Sequence, residues 1–385
     1  MTRRIVIVGA GIAGLATAIG LQRRGHEVTV VERRTDTSTG AGISIWPNAL
    51  AALDLLGVGD AVRGAGGRIT AGAVRWHDGS WIRRPAPDRI VRALGEPLVV
   101  VQRRVLRDIL TDALAAGTVE YGIDVTGLTT TTADGVRLGF SNGSERTVDA
   151  VIGADGTNSI VAQHLNGPLR QRYTGYTAWR GIACHAMDPE LSGLTLGPGV
   201  ETGHVPLGSD LTYWFTTQRT PEGARASDGE LDYLRREYAR WAEPFPDLLA
   251  ASAPQDVLRD DLYDRPTARH WAHGPVVLVG DAAHPMRPHL GQGGCQGVED
   301  AAILAACVDA AADLPSAFVG FAAARRPRLR RLVRESAGIG RVLNARPGFL
   351  GAALARASVL IPEAVVMRHL AAVAGRSAFV SPTGP

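Results

Sequence analysis

Short apolar runs near the start of the chain are spaced as in a strand, a helix and a second strand. Residues 5–8 read Ile-Val-Ile-Val and end at glycines, which is typical of a buried parallel strand. Residues 12–24 carry small apolar side chains at helical spacing, and Gly25 provides a typical helix C-terminus. Residues 28–32 form a second β-branched run. The pattern therefore predicts a βαβ unit at the beginning of this sequence.

Further apolar runs divide the rest of the chain between two kinds of structure. Buried-strand patterns recur at 149–153 and 275–280, and a glycine-containing loop follows each. Between them, 173–215 is rich in strand-forming and aromatic residues, and 73–82 predicts a hairpin because Asp-Gly separates two alternating segments. Elements of the first kind lie at both ends of the chain. We therefore expect the sheet-rich part to be inserted rather than appended.

These elements predict a mixed α/β (α+β) fold, with a doubly wound, Rossmann-like domain, an inserted antiparallel β-sheet domain and C-terminal helices. The predicted boundaries are 1–70, 97–170 and 270–345 for the discontinuous first domain, 71–96 and 171–269 for the inserted domain, and 346–385 for the helical tail. The tail is apolar at helical spacing, so we expect it to pack on the core or on a second subunit. A monomer and a homodimer are both compatible with the sequence.

The identity of the basic residues excludes several functions. The 385 residues carry 41 basic and 38 acidic side chains, and every basic one is Arg. A chain without Lys cannot use a lysine Schiff base, a P-loop lysine or a lysine general base. The net charge of +3 gives no reason to expect nucleic acid or a membrane as a partner, and we interpret the Arg-rich run 325–331 as a solvated helix face.

Cysteine usage and hydropathy indicate the compartment. Cys184, Cys295 and Cys307 show no Cys-x-x-Cys spacing, so neither a disulfide framework nor a metal site is predicted. No stretch reaches the length of about 18 apolar residues that a transmembrane helix needs. We therefore expect a cytoplasmic protein, in which Cys295 is a small packing residue.

A glycine-rich segment separates the first predicted strand from the first helix, and residues 9–14 read Gly-Ala-Gly-Ile-Ala-Gly. In such a segment Gly9 makes the tight turn, Gly11 lets the backbone approach a pyrophosphate, and Gly14 allows the helix to pack closely on the strand. Glu32 ends the second strand, where a carboxylate can accept hydrogen bonds from ribose hydroxyls. Together they predict a dinucleotide site, without deciding between NAD and FAD.

Two later segments favour FAD. One predicted strand ends at Asp155, and another ends at Asp281, shortly before the Gly-Gln-Gly-Gly sequence at 291–294. An aspartate at the end of a buried strand, next to a glycine-rich helix start, suits polar contacts to a ribityl chain and to a bound phosphate.

Taken together, these segments resemble the single-component (group A) flavin-dependent aromatic hydroxylases, which include p-hydroxybenzoate, salicylate and urate hydroxylases. The resemblance extends from residue 1 to about residue 345. It implies a non-covalent FAD, with NADH or NADPH as a transient co-substrate. It also implies that O₂ forms a flavin C4a-hydroperoxide, which passes one oxygen atom to a small aromatic or polycyclic substrate. The expected reaction is hydroxylation or epoxidation.

The same resemblance assigns residues to the cofactor. The positions expected to hold FAD are Gly9, Gly11, Ala13, Gly14, Glu32, Arg33, Ser44, Arg103, Val125, Asp155, Asp281, Pro288, Gly291, Gln292, Gly293 and Gly294. Asp281 is expected at the ribityl chain and the backbone of Val125 at the adenine, whereas Asp155 either contacts FAD or supports the structure. His284 is expected to pack or to cap a helix.

The inserted sheet is expected to face the flavin with aromatic side chains. The candidates to line the substrate pocket are Trp179, Arg180, Tyr213, Phe215 and Pro288. Tyr213 and Phe215 are two apart and share one face of their strand. Trp179 and Arg180 point to opposite faces, so only one of that pair can line the pocket. Such walls suit a flat, largely apolar ring system.

Two histidines are candidate bases for a phenolic substrate. His289 lies beside the expected flavin loop and His204 lies in the inserted sheet, and a neutral histidine is matched to proton transfer near neutral pH. An indole or an alkene would need no base. The stretch 201–207 lacks the Arg that the resembled family uses for urate, which argues against urate as the substrate.

Two other functions remain open from the sequence. A flavin-dependent dehydrogenase or reductase on the same fold would act on its substrate without O₂. A non-enzymatic flavoprotein would show no substrate-stimulated oxidation of NAD(P)H. Oxygen consumption in the presence of substrate and NAD(P)H separates these alternatives.

Overall fold

Strands and helices alternate at both ends of the chain, and strands dominate its middle. The structure, a computed structural model, describes residues 2–35, 41–130, 135–343 and 348–380. The strands are β1 (Arg4–Val8), β2 (Glu27–Glu32), β3 (Gly42–Ile45), β4 (Gly67–Ile69), β5 (Ala73–Trp76), β6 (Trp81–Arg83), β7 (Leu98–Gln102), β8 (Val119–Tyr121), β9 (Val125–Thr130), β10 (Val136–Phe140), β11 (Glu145–Val148), β12 (Ala150–Gly153), β13 (Arg172–Ala183), β14 (Gly193–Gly197), β15 (Val200–Pro206), β16 (Thr212–Arg219), β17 (Leu258–Asp264), β18 (Ala272–His273) and β19 (Val276–Leu278).

The helices connect the strands and form the end of the chain. They are α1 (Ile12–Gln22), α2 (Pro47–Leu55), α3 (Gly59–Ala65), α4 (Pro87–Leu94), α5 (Arg103–Asp112), α6 (Ile160–Asn166), α7 (Glu230–Glu237), α8 (Phe245–Ala250), α9 (Gly293–Ala310), α10 (Leu314–Leu343), α11 (Gly348–Ala357) and α12 (Glu363–Ala374). Short 3₁₀ turns lie between several of them.

Six strands form the first sheet, in the order β18-β19-β12-β1-β2-β8. Neighbouring strands are parallel except for β18, which runs antiparallel to β19. Strand β1 is central, and its residues Ile5–Val8 are all buried, which explains the uninterrupted apolar run. Helix α1 connects β1 to β2 as predicted. The predicted α/β class, with a doubly wound first domain, is confirmed.

Seven strands form a second sheet, in the order β17-β13-β16-β15-β14-β5-β6. Its neighbouring strands are antiparallel except for β14 and β5, which are parallel. The predicted hairpin is β5–β6, and Gly79 in its turn has a φ of 88°. Two separate parts of the chain therefore build this sheet, as expected for an inserted domain.

The two faces of the second sheet have different neighbours. On one face, which we call the helix face, Trp214 packs in a core formed with α7 and α8, and its ring centre lies 5.9 Å from that of Phe245. Tyr213 and Phe215, the residues on either side of Trp214, lie on the opposite face, which we call the cavity face. The cavity face looks toward β3, β7 and the turn that precedes α9.

A buried ion network joins α9 to α10. The Arg325 side chain is 2 % exposed, and its guanidinium lies 2.6 Å from a carboxylate oxygen of Glu299 and 2.6 Å from one of Asp300. Burial alone would raise the pKa of Asp300, but His284 and Arg325 hold it below its ordinary value. The interpretation of the Arg-rich run as a solvated face is therefore wrong for Arg325. The expected packing role of His284 fits its position, 2.5 Å from Asp300.

The tail, described over 348–380, packs on helices of both the first-domain segments and the segment 71–96. Helix α12 lies against α4 and α2, and Arg89 pairs with Glu363 at 3.0 Å. His369 lies 2.5 Å from Glu335 of α10. In the part of the chain that the structure describes, no single helix is long and apolar enough to span a membrane. The bent pair Gly351–Leu360 and Glu363–Ala374 meets that test together, by length and composition only.

Candidate active site

The three glycines of the first loop have different surroundings. Gly9 has a φ of 105°, and a Cβ atom added there would lie 2.5 Å from the carbonyl oxygen of Ala154. A Cβ on Gly14 would lie 2.0 Å from the carbonyl oxygen of Gly9. A Cβ on Gly11 would meet no atom of the described residues within 4 Å. Packing therefore requires Gly9 and Gly14, whereas Gly11 faces an open cleft at the N-terminus of α1.

Ala13 lies where α1 meets two later segments. A Cβ added to Gly280 would lie 2.8 Å from the Cβ of Ala13, and one added to Gly297 would lie 2.9 Å from it. The methyl group of Ala13 thus sets how closely α1 approaches α9 and the turn after β19. Ala13 therefore contributes to the cleft through this packing of its methyl group.

Glu32 lies at the end of β2, beside the glycine loop. Its Oε2 accepts a hydrogen bond from the backbone N–H of Ala10 (2.9 Å), and its Oε1 accepts one from the backbone N–H of Arg34 (3.0 Å). The carboxylate is half-buried at the edge of the cleft, and Arg33 beside it is exposed. This position suits the ribose contact expected of Glu32.

Asp155 caps a helix with both of its carboxylate oxygens. One accepts a hydrogen bond from Ser159 Oγ (2.5 Å), and the other accepts one from the backbone N–H of Ile160 (2.7 Å). Burial raises the pKa of Asp155, although these hydrogen bonds oppose the shift. Of the two roles expected for Asp155, the structural one is therefore present at the N-terminus of α6.

Asp281 follows β19 at the carboxyl edge of the first sheet, and Arg103 lies close enough for the two charges to interact. Asp281 is exposed on the 3₁₀ turn Gly280–Ala282, and Arg265 fixes that turn by donating to the backbone carbonyls of Asp281 (2.7 Å) and Ala282 (2.8 Å). Arg103 begins α5. Burial lowers the pKa of its guanidinium, and the charge of Asp281 opposes that shift. An acidic and a basic side chain are thus available to a ligand at this edge.

The glycine-rich stretch before α9 forms one wall of the same region. Gly291 has a φ of 61°, which favours glycine there. A Cβ on Gly294 would lie 2.9 Å from Ile43 Cδ1, so β3 packs closely on the first turn of α9. This 18-residue helix directs the positive end of its dipole and the free N–H groups at Gly293 and Gly294 toward the cavity.

The remaining cofactor candidates have different neighbours. The backbone carbonyl of Ser44 accepts from the Cys295 thiol (3.4 Å), and burial raises the pKa of that thiol to about 12, which suits a packing role. Gln292 is buried, and its Oε1 accepts a hydrogen bond from Asn48 (2.9 Å). Val125 is 3 % exposed at the start of β9.

A cavity of about 910 Å³ lies between the two sheets and the tail. Its first-domain side includes Ser44, Asp281, Pro288, Gly291, Gly293 and Gly294, and its tail side includes Ile361, Pro362, Val366, Met367 and Leu370. On the cavity face of the second sheet, the rings of Tyr213 and Phe215 lie 6.3 Å apart. Arg180, on the same face, pairs with Asp260 at 2.8 Å. The walls are therefore largely apolar, with a few fixed polar groups.

Trp179 does not line this cavity, so that prediction is wrong. Its side chain is 1 % exposed on the helix face, and its Nε1 donates a hydrogen bond to Glu230 (2.8 Å). Because side chains alternate along β13, the next residue, Arg180, lies on the cavity face. Of the two candidates, Arg180 is the one that contributes to the wall.

His204 borders the cavity, but its ring lies on the helix face. It pairs directly with Trp214 of β16, and directly paired residues share one face of a sheet. Burial, and then the charge of Arg75, lower the pKa of His204 to about 3. A histidine with so low a pKa is a weak proton acceptor near neutral pH. The prediction that His204 is a candidate base is therefore wrong.

His289 lies in the cavity wall between two partners. Its Nδ1 is 2.8 Å from Glu201 Oε2, and its Nε2 is 3.0 Å from the Tyr176 hydroxyl. Both ring nitrogens are thus engaged, and the side chain is fully buried. Glu201 and Tyr176 were not predicted as site residues; they lie 88 and 113 positions from His289 in the chain. The available signal was strand alternation, which places Tyr176 on the same face as Arg180.

Comparison with known proteins agrees with this geometry. Residues 2–335 match the family model described as FAD binding domain. The chain is 36 % identical over 341 residues to the aurachin C monooxygenase/isomerase of Stigmatella aurantiaca, covering 88 % of this chain and 89 % of that one. It is 31 % identical over 339 residues to an FAD-dependent urate hydroxylase of Mycolicibacterium vanbaalenii, covering 86 % of each chain.

A solved structure extends the likeness to the whole fold. HpxO of Klebsiella pneumoniae, in its complex with FAD and uric acid, has a TM-score of 0.89 and 28 % sequence identity, over 96 % of each chain. The glycine cleft, the aspartate after β19 and the cavity against an antiparallel sheet define a flavin-dependent oxidoreductase. The chain belongs to the FAD binding domain family. The predicted FAD cofactor and the monooxygenase class are confirmed by these relatives.

Proposed function

We propose that this chain uses FAD, NADH or NADPH, and O₂ to insert one oxygen atom into an aromatic or polycyclic small molecule, by hydroxylation or epoxidation. The proposal rests on one observation, which is that two different surfaces meet in one cavity. The N-terminus of α9 and the Gly291 turn form one side, and the aromatic face with Tyr213 and Phe215 forms the other. The named activities of the relatives support the same reaction class.

The residues of the first domain fit FAD. The open side of Gly11 leaves room for a pyrophosphate beside the N–H groups of α1, and the carboxylate of Glu32 lies within the same loop. Asp281 and Arg103 offer one acceptor and one donor group at the sheet edge, where a ribityl chain and phosphates would need both. When bound and reduced by NAD(P)H, FAD supplies the activation of O₂.

The chain itself contributes orientation, exclusion of water and fixed charge. Tyr213 and Phe215 provide a flat apolar wall against which a ring can stack. The tail residues Met367 and Leu370 cover the cavity from the other side and keep water from it. His289 lies between Glu201 and Tyr176 with both ring nitrogens engaged, so it positions the carboxylate that borders the cavity.

Oxygen consumption tests the proposed reaction against its two rivals. A panel of phenols, indoles, quinolones and polycyclic ketones is added to FAD-loaded protein with NAD(P)H, and product is analysed after reaction with isotopically labelled O₂. At least one compound should stimulate NAD(P)H oxidation and gain one labelled oxygen atom. Oxidised product without label would indicate a dehydrogenase, and the absence of any stimulation across the panel would indicate a non-enzymatic flavoprotein.

A pair of glycine variants tests the cofactor site separately from catalysis. Gly11→Ala adds a methyl group to open space at a φ of −73°, so the apoprotein should melt as wild type does. The same methyl group would occupy the approach to the pyrophosphate, so FAD should bind roughly tenfold more weakly or worse, about 1.4 kcal/mol. Gly320→Ala, in the exposed part of α10, is the matched control and should retain FAD. Wild-type FAD affinity in Gly11→Ala would contradict the proposed site.

The compartment, the oligomeric state and the domain boundaries are further parts of the proposal. We propose that the protein works in the cytoplasm as a monomer or a homodimer. The division into an FAD domain (1–70, 97–170, 270–345), a substrate domain (71–96, 171–269) and a tail remains a prediction. Light scattering on the FAD-loaded protein measures the oligomeric state, and limited proteolysis tests the boundaries.

A further inference from the structure

A carboxylate is built into the wall of the cavity. Glu201 is 4 % exposed and lies on β15, directly opposite Thr217 of β16, and both residues border the cavity. Among the described residues, the ion-pair partner of Glu201 is His289, and no arginine lies within ion-pair distance of it. The carboxylate therefore borders a largely apolar space with a histidine as its ion-pair partner, and a ligand that provides a hydrogen-bond donor would satisfy its remaining lone pairs.

A chain of hydrogen bonds from Tyr176 through His289 to Glu201 fixes the position of the Glu201 carboxylate. Because a carboxylate can only accept, the Nδ1–H of His289 donates to Glu201 Oε2 at 2.8 Å. The Tyr176 hydroxyl lies 3.0 Å from Nε2 on the other side of the ring. A Cβ on Gly340 of α10 would lie 2.6 Å from His289 Nε2, so the helix packs directly behind the ring and holds it in place.

Four arginines of the described residues border the cavity, and each already has a partner. Arg84 pairs with Glu190, and Arg83 donates to the backbone carbonyls of Ser358 and Ile361. Arg180 pairs with Asp260 at 2.8 Å. Arg287 forms an ion pair with Asp264, and its guanidinium lies 5.7 Å from the centre of the Tyr176 ring. The polar group that remains directed at the cavity from this part of the sheet is the carboxylate of Glu201.

We infer that Glu201, positioned by His289 and Tyr176, selects the substrate by accepting a hydrogen bond from an N–H or O–H group on a neutral ring system, and that it disfavours ring carboxylates. This inference rests on the proposed function and specifies its substrate class. A site built around a buried acceptor rejects an analogue that lacks the donor, because the acceptor is then left unpaired. A substrate carboxylate would in addition meet a like charge.

Matched ring compounds test the inference through binding alone. Dissociation constants of FAD-loaded protein are measured from the change in flavin absorption, for N–H and N-methyl forms of a 4-quinolone, an indole and a carbazole, and for salicylate. In wild type, at least one N–H form should bind roughly ten- to hundredfold more tightly than its N-methyl partner, as expected for a hydrogen bond to a charged group. Glu201→Gln should reduce that preference and should bind salicylate more tightly than wild type.

Two further variants separate this role from a structural one. Tyr176→Phe should lower the N–H preference at a temperature where the variant stays folded, because it removes the hydroxyl that holds the Nε2 side of His289. Glu237→Gln, the same change at an exposed position of α7 that does not border the cavity, should leave the preference as in wild type. Equal binding of N–H and N-methyl forms in wild type, or an unchanged preference in Glu201→Gln, would overturn the inference. Failure of every ring compound to perturb the flavin would overturn the proposed function as well.

Discussion

The two faces of the second sheet are formed by the same strands but have different roles. The helix face packs in a core, and the cavity face borders the space for a ligand. On the helix face, the two tryptophan N–H groups are paired within the protein: Trp179 Nε1 donates to Glu230 and Trp214 Nε1 donates to Ser252 Oγ, both at 2.8 Å. On the cavity face, Glu201 and an aromatic wall are left available to a ligand. Because neighbouring residues alternate between faces, a residue that stabilises the fold lies next to a residue that borders the ligand cavity.

The largest loss of stability is expected from Trp214→Ala on the helix face. Trp214 is fully buried on the helix face, so its removal should cost about 3–5 kcal/mol of the free energy of unfolding, measured by urea denaturation of the apoprotein. At a temperature where the variant stays folded, its preference for N–H ring compounds should equal that of wild type. A stability loss no larger than that of Phe215→Ala, the adjacent residue on the other face, would contradict the assignment of the helix face as a core.

A pH-dependent effect of intermediate size is expected from His204→Leu. The pKa of His204 is about 3 in the folded protein, against an ordinary value of 6.5. As pH falls below 6.5, the unfolded chain binds a proton that the folded chain cannot bind until about pH 3, so wild type loses stability over this window. At about 1.4 kcal/mol per pH unit, the difference reaches about 2 kcal/mol at pH 5.

The measurement for His204→Leu is the free energy of unfolding between pH 7.5 and pH 5, at roughly half-unit steps chosen to follow one titrating histidine. The variant should lose less stability than wild type on acidification. His273→Gln, which changes an exposed histidine, is the control and should follow the wild-type curve. Parallel curves for wild type and His204→Leu would contradict the lowered pKa of His204.

The smallest effect on stability is expected from Phe215→Ala on the cavity face. Phe215 is half-buried and borders the cavity, so its loss should cost only about 1 kcal/mol of unfolding free energy. Binding of ring compounds should weaken by roughly two- to tenfold, because a stacking surface is removed. Titration of the FAD-loaded variant with the 4-quinolone measures this. Unchanged affinity would place the ring-binding surface elsewhere.

The features that could be predicted from sequence are those set by local geometry. The loop with Gly9, Gly11 and Gly14 was recognisable because tight turns and close approaches select glycine within a few residues. Strand alternation correctly put Tyr213 and Phe215 on one face and separated Trp179 from Arg180. It could not say which of the last two faces the cavity, because that depends on where α7 and α8 pack.

The features that could not be predicted depend on contacts between distant segments. Arg325 belongs to a run that resembles a solvated face, and only the positions of Glu299 and Asp300 on a neighbouring helix make it an interior residue. Glu201 carries no motif, and its importance follows from the position of His289, 88 residues later. Tertiary packing, rather than propensity, decides both cases.

The tail has a consequence for how this protein can change over evolution. The family match ends at residue 335, whereas residues of α12 and the preceding turn supply part of the cavity wall. Part of the wall around the space for a substrate therefore lies outside the segment that carries the glycine loop and Asp281. A change in the tail can alter which molecules fit without touching either of those features.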